Sequence, residues 1–302
     1  MTPMRDIVFA VDDGFVEPFL VALHSLVTHG DLPAASRLYV IHDETLGRGS
    51  IDLIGDFIRE RGRTVAFVDV AGRLPGSLRT APTDHVSRAT YFRLFAASLL
   101  PAHVGSVLYM DCDLLVRKDV RGLLEMPVTA AVAAADHLSP ADAVRLHGPL
   151  GGGYFQAGVL ILNLDAWRAM NAEGVFLRIA EEARSRIRWW DQDILNIAFA
   201  DVWQRFEIWN NVGFRVVESL PESEVQAHAR IVHFDGSHKP WAVDRPRAFR
   251  DDWYRAYQEV FGIPFDRRRI QRPFGPRLIA AAKRRVRRVV DALGGITRGT
   301  HG

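Results

Sequence analysis

The sequence predicts an α/β fold, a mostly parallel sheet flanked by helices, followed by a basic C-terminal helical tail. Three observations carry the prediction. Short apolar, β-branched runs alternate with longer segments whose apolar residues recur three and four apart, the pattern of strands joined by crossover helices. The 302 residues, 48% hydrophobic and 25% charged, are enough for one large α/β domain whose core needs no disulfide or metal staple. The composition breaks once, after Phe265, where Arg267, Arg268 and Arg269 open a basic segment. The expected units are a globular body over residues 1–265 and a tail over residues 266–302.

The first strand is expected over Asp6 to Val11, an apolar run that ends in Asp12, Asp13 and Gly14. A helix over Val16 to Thr28 follows, with Glu17 in its first turn, where an acid complements the helix dipole. Strands over Arg37 to His42 and Thr64 to Val70 bracket a helix over Ser50 to Arg61. Ala89 to Leu99 reads as helix and Ser106 to Val116 as one long strand, with further strands over Ala130 to Asp136 and Gly158 to Asn163. Asp165 to Arg186 and Asp191 to Ala200 place apolar residues on one helical face, and Arg230 to Phe234 closes the set as a strand. The segment from His137 to Tyr154 matches no readable motif.

Composition excludes several classes. A single cysteine, Cys112, rules out an intramolecular disulfide and a thiolate zinc site and favours a reducing compartment. The longest uncharged stretches, Leu94 to Met110 and Leu146 to Leu164, are broken by proline and glycine, so neither reads as a membrane span. The opening apolar run is too short for a signal peptide. Eleven of the 38 basic residues but only one of the 36 acidic ones fall after Asp266, leaving the first 266 residues with 27 basic and 35 acidic groups. An acidic body argues against nucleic-acid binding, and the basic tail points to an anionic membrane surface. Within the tail, Ile279, Ala282, Val286, Val289, Val290 and Leu293 form one stripe at helical spacing, and Lys283, Arg284, Arg285, Arg287 and Arg288 fill the rest. That pattern describes a basic amphipathic helix lying on lipid; a solvated tail is the alternative. The expected location is cytoplasmic, peripheral on the inner face of the cell membrane.

Four local features carry chemistry. Asp111 and Asp113 end an apolar strand, and residues i and i+2 of an extended chain project to one side, so both carboxylates can meet one hard divalent cation. A solvated turn has the same spacing. Asp12 and Asp13 stand where a dinucleotide fold carries phosphate-cradling glycines, which suits a uracil or ribose contact; capping the next helix is the local alternative. His233, Gly236 and Lys239 follow a third strand and offer a metal-ligand nitrogen and a cation for phosphate oxygen. Asp191, Gln192 and Asp193 open a helix, where Asp191 also suits an N-cap.

Taken in order, these features resemble glycosyltransferase family 8. The resemblance is carried by the first strand with its Asp-Asp, by Ala-Thr-Tyr-Phe-Arg-Leu over 89–94, by Leu-Tyr-Met-Asp-Cys-Asp and by Phe-Gln-Ala-Gly-Val-Leu over 155–160. Trp-Asp-Gln-Asp-Ile-Leu-Asn and His-Phe-Asp-Gly-Ser-His-Lys-Pro-Trp complete it. It runs from Asp6 to Trp241 and is similar to the bacterial lipopolysaccharide galactosyltransferases and glucosyltransferases. It implies a GT-A fold, a UDP-hexose donor, Mn²⁺ with Mg²⁺ as the alternative ion, a glycan or glycolipid acceptor, and retention of anomeric configuration.

Position by position, the resemblance implies that Asp12 meets the uracil and ribose, and that Asp111, Asp113 and His233 hold the metal. Lys239 and Gly236 would contact the diphosphate, Arg93 the donor sugar and its phosphates, and His85 would lie on a loop closing over the donor. Asp136 and Asp191 would bind sugar hydroxyls, and Gln192 would sit beneath the anomeric carbon. Two positions depart from the family pattern: Gly14 replaces an asparagine at the nucleotide, and Gln156 replaces an asparagine in the donor-sugar pocket. Because Gln192 is a neutral amide, same-face attack by the acceptor is expected over a glycosyl-enzyme intermediate. Two other classes compete, a non-catalytic UDP-sugar binder and a sugar nucleotidyltransferase; the acidic first turn argues against the second.

Overall fold

The computed structural model describes residues 5–76, 78, 86–148, 152–200, 202–237, 239–242 and 248–266. The strands are β1 (Asp6–Ala10), β2 (Leu38–His42), β3 (Val65–Asp69), β4 (Ser106–Met110), β5 (Leu114–Val116), β6 (Val132–Asp136), β7 (Phe155–Asn163), β8 (Gln204–Arg205) and β9 (Ile231–His233). The helices of the first half are α1 (Val16–His29), α2 (Arg48–Arg59), α3 (Ala96–Leu99), α4 (Arg121–Glu125) and α5 (Pro140–His147). Those of the second are α6 (Leu164–Ala169), α7 (Ala172–Glu182), α8 (Trp190–Ala198), α9 (Phe214–Ser219), α10 (Glu222–His228) and α11 (Arg250–Phe261).

Seven strands form the central sheet in the order β3-β2-β1-β4-β7-β6-β8, and β7 alone runs against the rest. This is the expected mostly parallel α/β sheet. The central strands feed a core on each face, as the two-residue repeat of a strand dictates. Ile7, Phe9, Leu108 and Met110 pack with α1, α2 and α11, whereas Val8, Ala10, Val107 and Tyr109 pack with α6, α7, α8 and a 3₁₀ helix over Arg88–Phe95. In the second core the fully buried rings of Trp167 and Phe176 meet at 4.9 Å.

Several elements differ from expectation. The strand foreseen over Ser106 to Val116 is two strands in two sheets: β4 joins the central sheet, and β5 pairs with β9 in a separate antiparallel ribbon. The break falls on Asp111–Asp113, where carboxylates need partners that a sheet interior does not offer. The helix foreseen over Asp165 to Arg186 divides into α6 and α7 at Asn171, whose left-handed φ of 49° stops helical propagation. Ala89 to Leu99 is mostly 3₁₀ helix with a single α turn after it. Strand β7 starts at Phe155, three residues before the expected Gly158. Helices α4, α5, α9, α10 and α11 and strand β8 were not foreseen.

The pairing of β6 with β7 slips between Ala134 and Asp136, which face Leu160 and Phe155 respectively. This irregularity re-aims residues 156–159, as bulges beside functional sites commonly do. At the other end of the described chain, the Phe265 ring stacks 5.4 Å from Tyr254 and meets Trp253 edge-on at 5.3 Å, so the packed body reaches this residue. The basic tail from Arg267 onward lies outside the described residues. Among the described residues, no helix is long and apolar enough to cross a membrane.

Candidate active site

The site lies beyond the C-terminal ends of β1 and β4, where open α/β sheets commonly bind ligands. Cys112 donates its thiol proton toward the Ala10 carbonyl at 3.0 Å, and Asp111 and Asp113 flank it at the bend between β4 and β5. Pairing of Leu114 with His233 across the β5–β9 ribbon brings the imidazole to them. His233 Nε2 lies 3.1 Å from Asp113 Oδ1 and 3.7 Å from Asp111 Oδ2. One ligand atom from each of the three residues fits within 4.8 Å, and no other such cluster exists among the described residues.

The donor set fits a divalent cation. Two carboxylates and one imidazole suit Mn²⁺ or Mg²⁺. Asp113 Oδ1 is buried with only His233 Nε2 near it, at 3.1 Å and poorly aligned for a hydrogen bond, an arrangement that a cation ligated by both would relieve. Burial pushes the Asp113 carboxyl up, but the charges of Lys239 and His233 outweigh it and hold the group well below the usual carboxylate range. Burial raises Asp111 against the opposing Arg93. It lowers His233, yet the neighbouring Asp113 leaves the ring net raised.

Arg93 ties this cluster to α8. The 3₁₀ helix buries its guanidinium, whose Nη2 donates to Asp111 Oδ1 at 2.7 Å and whose Nη1 donates to the Ala157 carbonyl. Its Nε donates to the Thr90 carbonyl at 3.1 Å and lies 2.9 Å from Asp191 Oδ2. Thr90 Oγ1 donates to the other Asp191 oxygen. Asp191 is therefore not the helix cap that its position also suited; it is a buried acid held between an arginine and a threonine. Burial pushes its carboxyl up to about 6 despite Arg93. Trp190, just before it, adopts φ 44°, a strained conformation for a bulky residue.

Gln192 is held at both ends of its amide. Its Oε1 accepts from Ala157 N–H at 2.9 Å, and its Nε2 donates to the Tyr154 hydroxyl at 3.0 Å. Tyr154 in turn donates to Asp193 Oδ1 at 2.6 Å, and Asp193, fully buried, also accepts from Arg145 and from the Arg188 and Trp189 amides. Sequence reasoning missed Tyr154, Thr90 and the anchoring role of Asp193, because burial and cross-chain partners leave no local pattern.

Two clefts meet at these groups. The larger, about 780 Å³, is lined by Asp111, Asp113, His233, Asp191 and Gln192 and also by Trp189, Trp190, Phe214, Arg215 and His137. The smaller, about 440 Å³, is lined by Ala10, Phe15, Ser87, Tyr109 and Cys112. Both share Arg93, Asp111, Asp113 and Lys239, so the acidic cluster stands at their junction.

The other expected residues fall in different places. Lys239 is buried, donating to Asp113 Oδ2 and, at 2.8 Å, to the Phe234 carbonyl. Gly236 lines the larger cleft in a turn at φ 70°, which favours glycine. Gln156 also lines that cleft. Asp12 caps the turn after β1, accepting from Phe15 N–H at 3.2 Å, and bonds with Ser87 of the smaller cleft, although it is not itself among the lining residues. Asp136 accepts from Leu138 N–H at 2.8 Å, faces Arg205 at 3.8 Å and lines neither cleft. His85 lies outside the described residues.

The profile of Glycosyl transferase family 8 matches residues 6–244. General stress protein A of Bacillus subtilis (strain 168) is 24% identical over 263 residues, which span 82% of this chain and 91% of that protein. Lipopolysaccharide 1,3-galactosyltransferase of Salmonella typhimurium is 30% identical over 177 residues, or 54% of this chain and 52% of the relative, so the chain matches about half of that enzyme. The crystal structure of galactosyltransferase LgtC in complex with donor and acceptor sugar analogs superposes with a TM-score of 0.73 at 23% identity. The superposition covers 86% of this chain and 98% of that one, and it shows a shared GT-A fold. With the family profile matched over most of its length, the chain belongs to glycosyltransferase family 8.

Proposed function

We propose that this enzyme moves a hexose, galactose or glucose, from a UDP-sugar to a hydroxyl of a glycan or glycolipid, with retention of anomeric configuration. The observation that carries the reading is the convergence of Asp111, Asp113 and His233 at the junction of two clefts. These three residues would hold Mn²⁺ or Mg²⁺, and the bound cation would neutralise charge developing on the departing diphosphate. Lys239 adds a positive charge beside Asp113, and the Gly236 turn brings backbone close to the phosphates. In the smaller cleft, Phe15 and Ser87 flank the nucleoside, with Asp12 behind them.

Asp191 would accept from a sugar hydroxyl in the larger cleft, and its contacts with Arg93 and Thr90 support that reading by holding it fixed. Asp136, which also accepts from Leu138 N–H, would bind a further hydroxyl of the donor sugar. In the reaction the bond from the anomeric carbon to the phosphate oxygen breaks, and its electron pair leaves with UDP. The acceptor hydroxyl attacks from the face that UDP vacates and passes its proton to the departing phosphate oxygen. Gln192 contributes a fixed dipole beneath the developing ring cation. Its oxygen already accepts from Ala157 N–H, which makes a weak nucleophile weaker still. The Trp189, Trp190 and Phe214 side of the larger cleft suits the apolar face of an acceptor sugar.

The tail is the proposed contact with an anionic membrane, which places the enzyme on the inner face of the cell membrane. UDP release tests the function. With Mn²⁺, slow release from UDP-galactose or UDP-glucose is expected without acceptor, faster release with glycan or glycolipid fractions, and none in EDTA. Binding of UDP-sugar with no release under any of these conditions would instead identify a non-catalytic binder.

A further inference from the structure

We infer that Gln156 and Asn211 are positioning residues that fix the tautomer of His233, so that the ring presents its Nε2 lone pair to the cation site. The inference rests on the metal reading above. Its starting point is a group that cannot reverse. The backbone N–H of Gly158 donates to the Gln156 side chain, which must present its oxygen, Oε1, at that point. The same oxygen lies 2.8 Å from Asn211 and accepts from it, so Asn211 must turn its NH₂ toward Gln156. The Asn211 carbonyl oxygen then faces the other way, where His233 Nδ1 lies 3.1 Å from it.

An acceptor at that distance calls for a proton on Nδ1. Asp113 Oδ1, 3.1 Å from Nε2, is the competing acceptor; with a cation held by the carboxylates it would ligate the ion instead, and a neutral imidazole then keeps its one N–H on Nδ1 and turns the Nε2 lone pair toward the cation site. Each amide in the chain is oriented by the one before it, and the first is oriented by the backbone. Burial gives this order its force: Asn211 is 1% exposed, His233 4% and Gln156 6%, so water is not a ready substitute partner. Metal-bound histidines generally rely on such a partner at the second nitrogen.

Gly158 contributes in a second way. A Cβ at this position would fall 2.1 Å from His233 Cε1 and 2.4 Å from Nδ1, so only glycine leaves room for the ring. The slipped pairing of β6 with β7 spans residues 156–159, the stretch that carries both Gln156 and Gly158. The glutamine that departs from the family pattern thus acts on the metal ligand, not only on the sugar pocket.

Two measurements on the full chain test this. Long-range ¹H–¹⁵N correlation of histidine rings in the Mg²⁺-loaded protein is expected to report His233 with its proton on Nδ1. Calorimetric titration with Mn²⁺ alone, without donor, is expected to show Gln156→Met and Asn211→Leu weakening metal binding by about 10-fold or more. Gln156→Glu, whose carboxylate still accepts from both donors, is expected not to weaken it. Metal-free thermal midpoints identify the variants that fold, and the wild-type tautomer decides the question where they do not. A proton on Nε2 in the loaded wild type, or wild-type Mn²⁺ affinity in both disruptive variants, would overturn the inference. Absence of Mn²⁺ binding by the wild type is a different result and would overturn the metal reading and the relay together.

Discussion

Asp191 shows how one residue's surroundings become a measurable property. Its carboxyl is pushed up to about 6 by burial from an ordinary value of 3.8, so between these pH values the folded protein binds a proton that the unfolded chain has already released. Stability therefore falls as pH rises through this window, by on the order of 3 kcal/mol. Urea unfolding of the metal-free protein at several points between about pH 4 and pH 7 is expected to show that fall, and Asp191→Asn is expected to lose this share of it. The slope that Asp111 contributes, raised in the same direction, should persist in the variant. Equal slopes in the two proteins would contradict the assignment. Gln192 gives a second expectation. Its amide is anchored to Ala157 and Tyr154, a fixed dipole rather than a free nucleophile. Gln192→Ala should lose about 10²-fold in rate, comparable to removing one preorganised electrostatic contact, with the α configuration of the product intact. A stable hexose adduct on Gln192 in the wild type, seen by intact-protein mass spectrometry, would reverse this reading.

At the scale of elements, the sequence exposes what depends on local period and hides what depends on partners across the chain. The buried strands β1, β2 and β4 announce themselves as apolar β-branched runs. The carboxylate pair is legible from its spacing alone. What spacing cannot state is that β5 leaves the sheet to pair with β9, and that pairing is what delivers His233. Asn171 breaks a segment of unbroken helical period because its left-handed backbone is a property of the packed turn, not of the pattern. Helix α11 carries a readable apolar face in Trp253, Ala256, Tyr257 and Val260, but its mean composition is polar and it abuts the basic tail, which masks the period. The tail yields its own prediction. Each basic side chain near an anionic surface contributes about 1 kcal/mol, so Lys283, Arg284, Arg285, Arg287 and Arg288 together suffice to hold the protein on it. Truncation after Asp266 keeps Phe265 against Trp253 and should leave donor hydrolysis unchanged while abolishing sedimentation with anionic liposomes at low salt. Equal sedimentation of the two forms would assign the tail another purpose.

On the scale of the whole molecule, charge and shape divide the work. An acidic body holds its one cation-fitting cluster among the described residues where two clefts meet, and the basic excess lies entirely in the last 36 residues, where eleven basic groups face a single acid. Arg93 and Lys239 are turned inward onto that cluster. Each of the two cations offsets carboxylates there, and Trp189, Trp190 and Phe214 line the same larger cleft. The central claim is a metal-dependent hexosyl transfer with retention, and it can be read without knowing the acceptor, because water can replace it. Proton NMR of the sugar first released from UDP-galactose or UDP-glucose by the full-length enzyme tests it most directly. The account predicts the α-anomer, produced with Mn²⁺ and abolished by EDTA; initial release of the β-anomer, or turnover undiminished in excess EDTA, would contradict it.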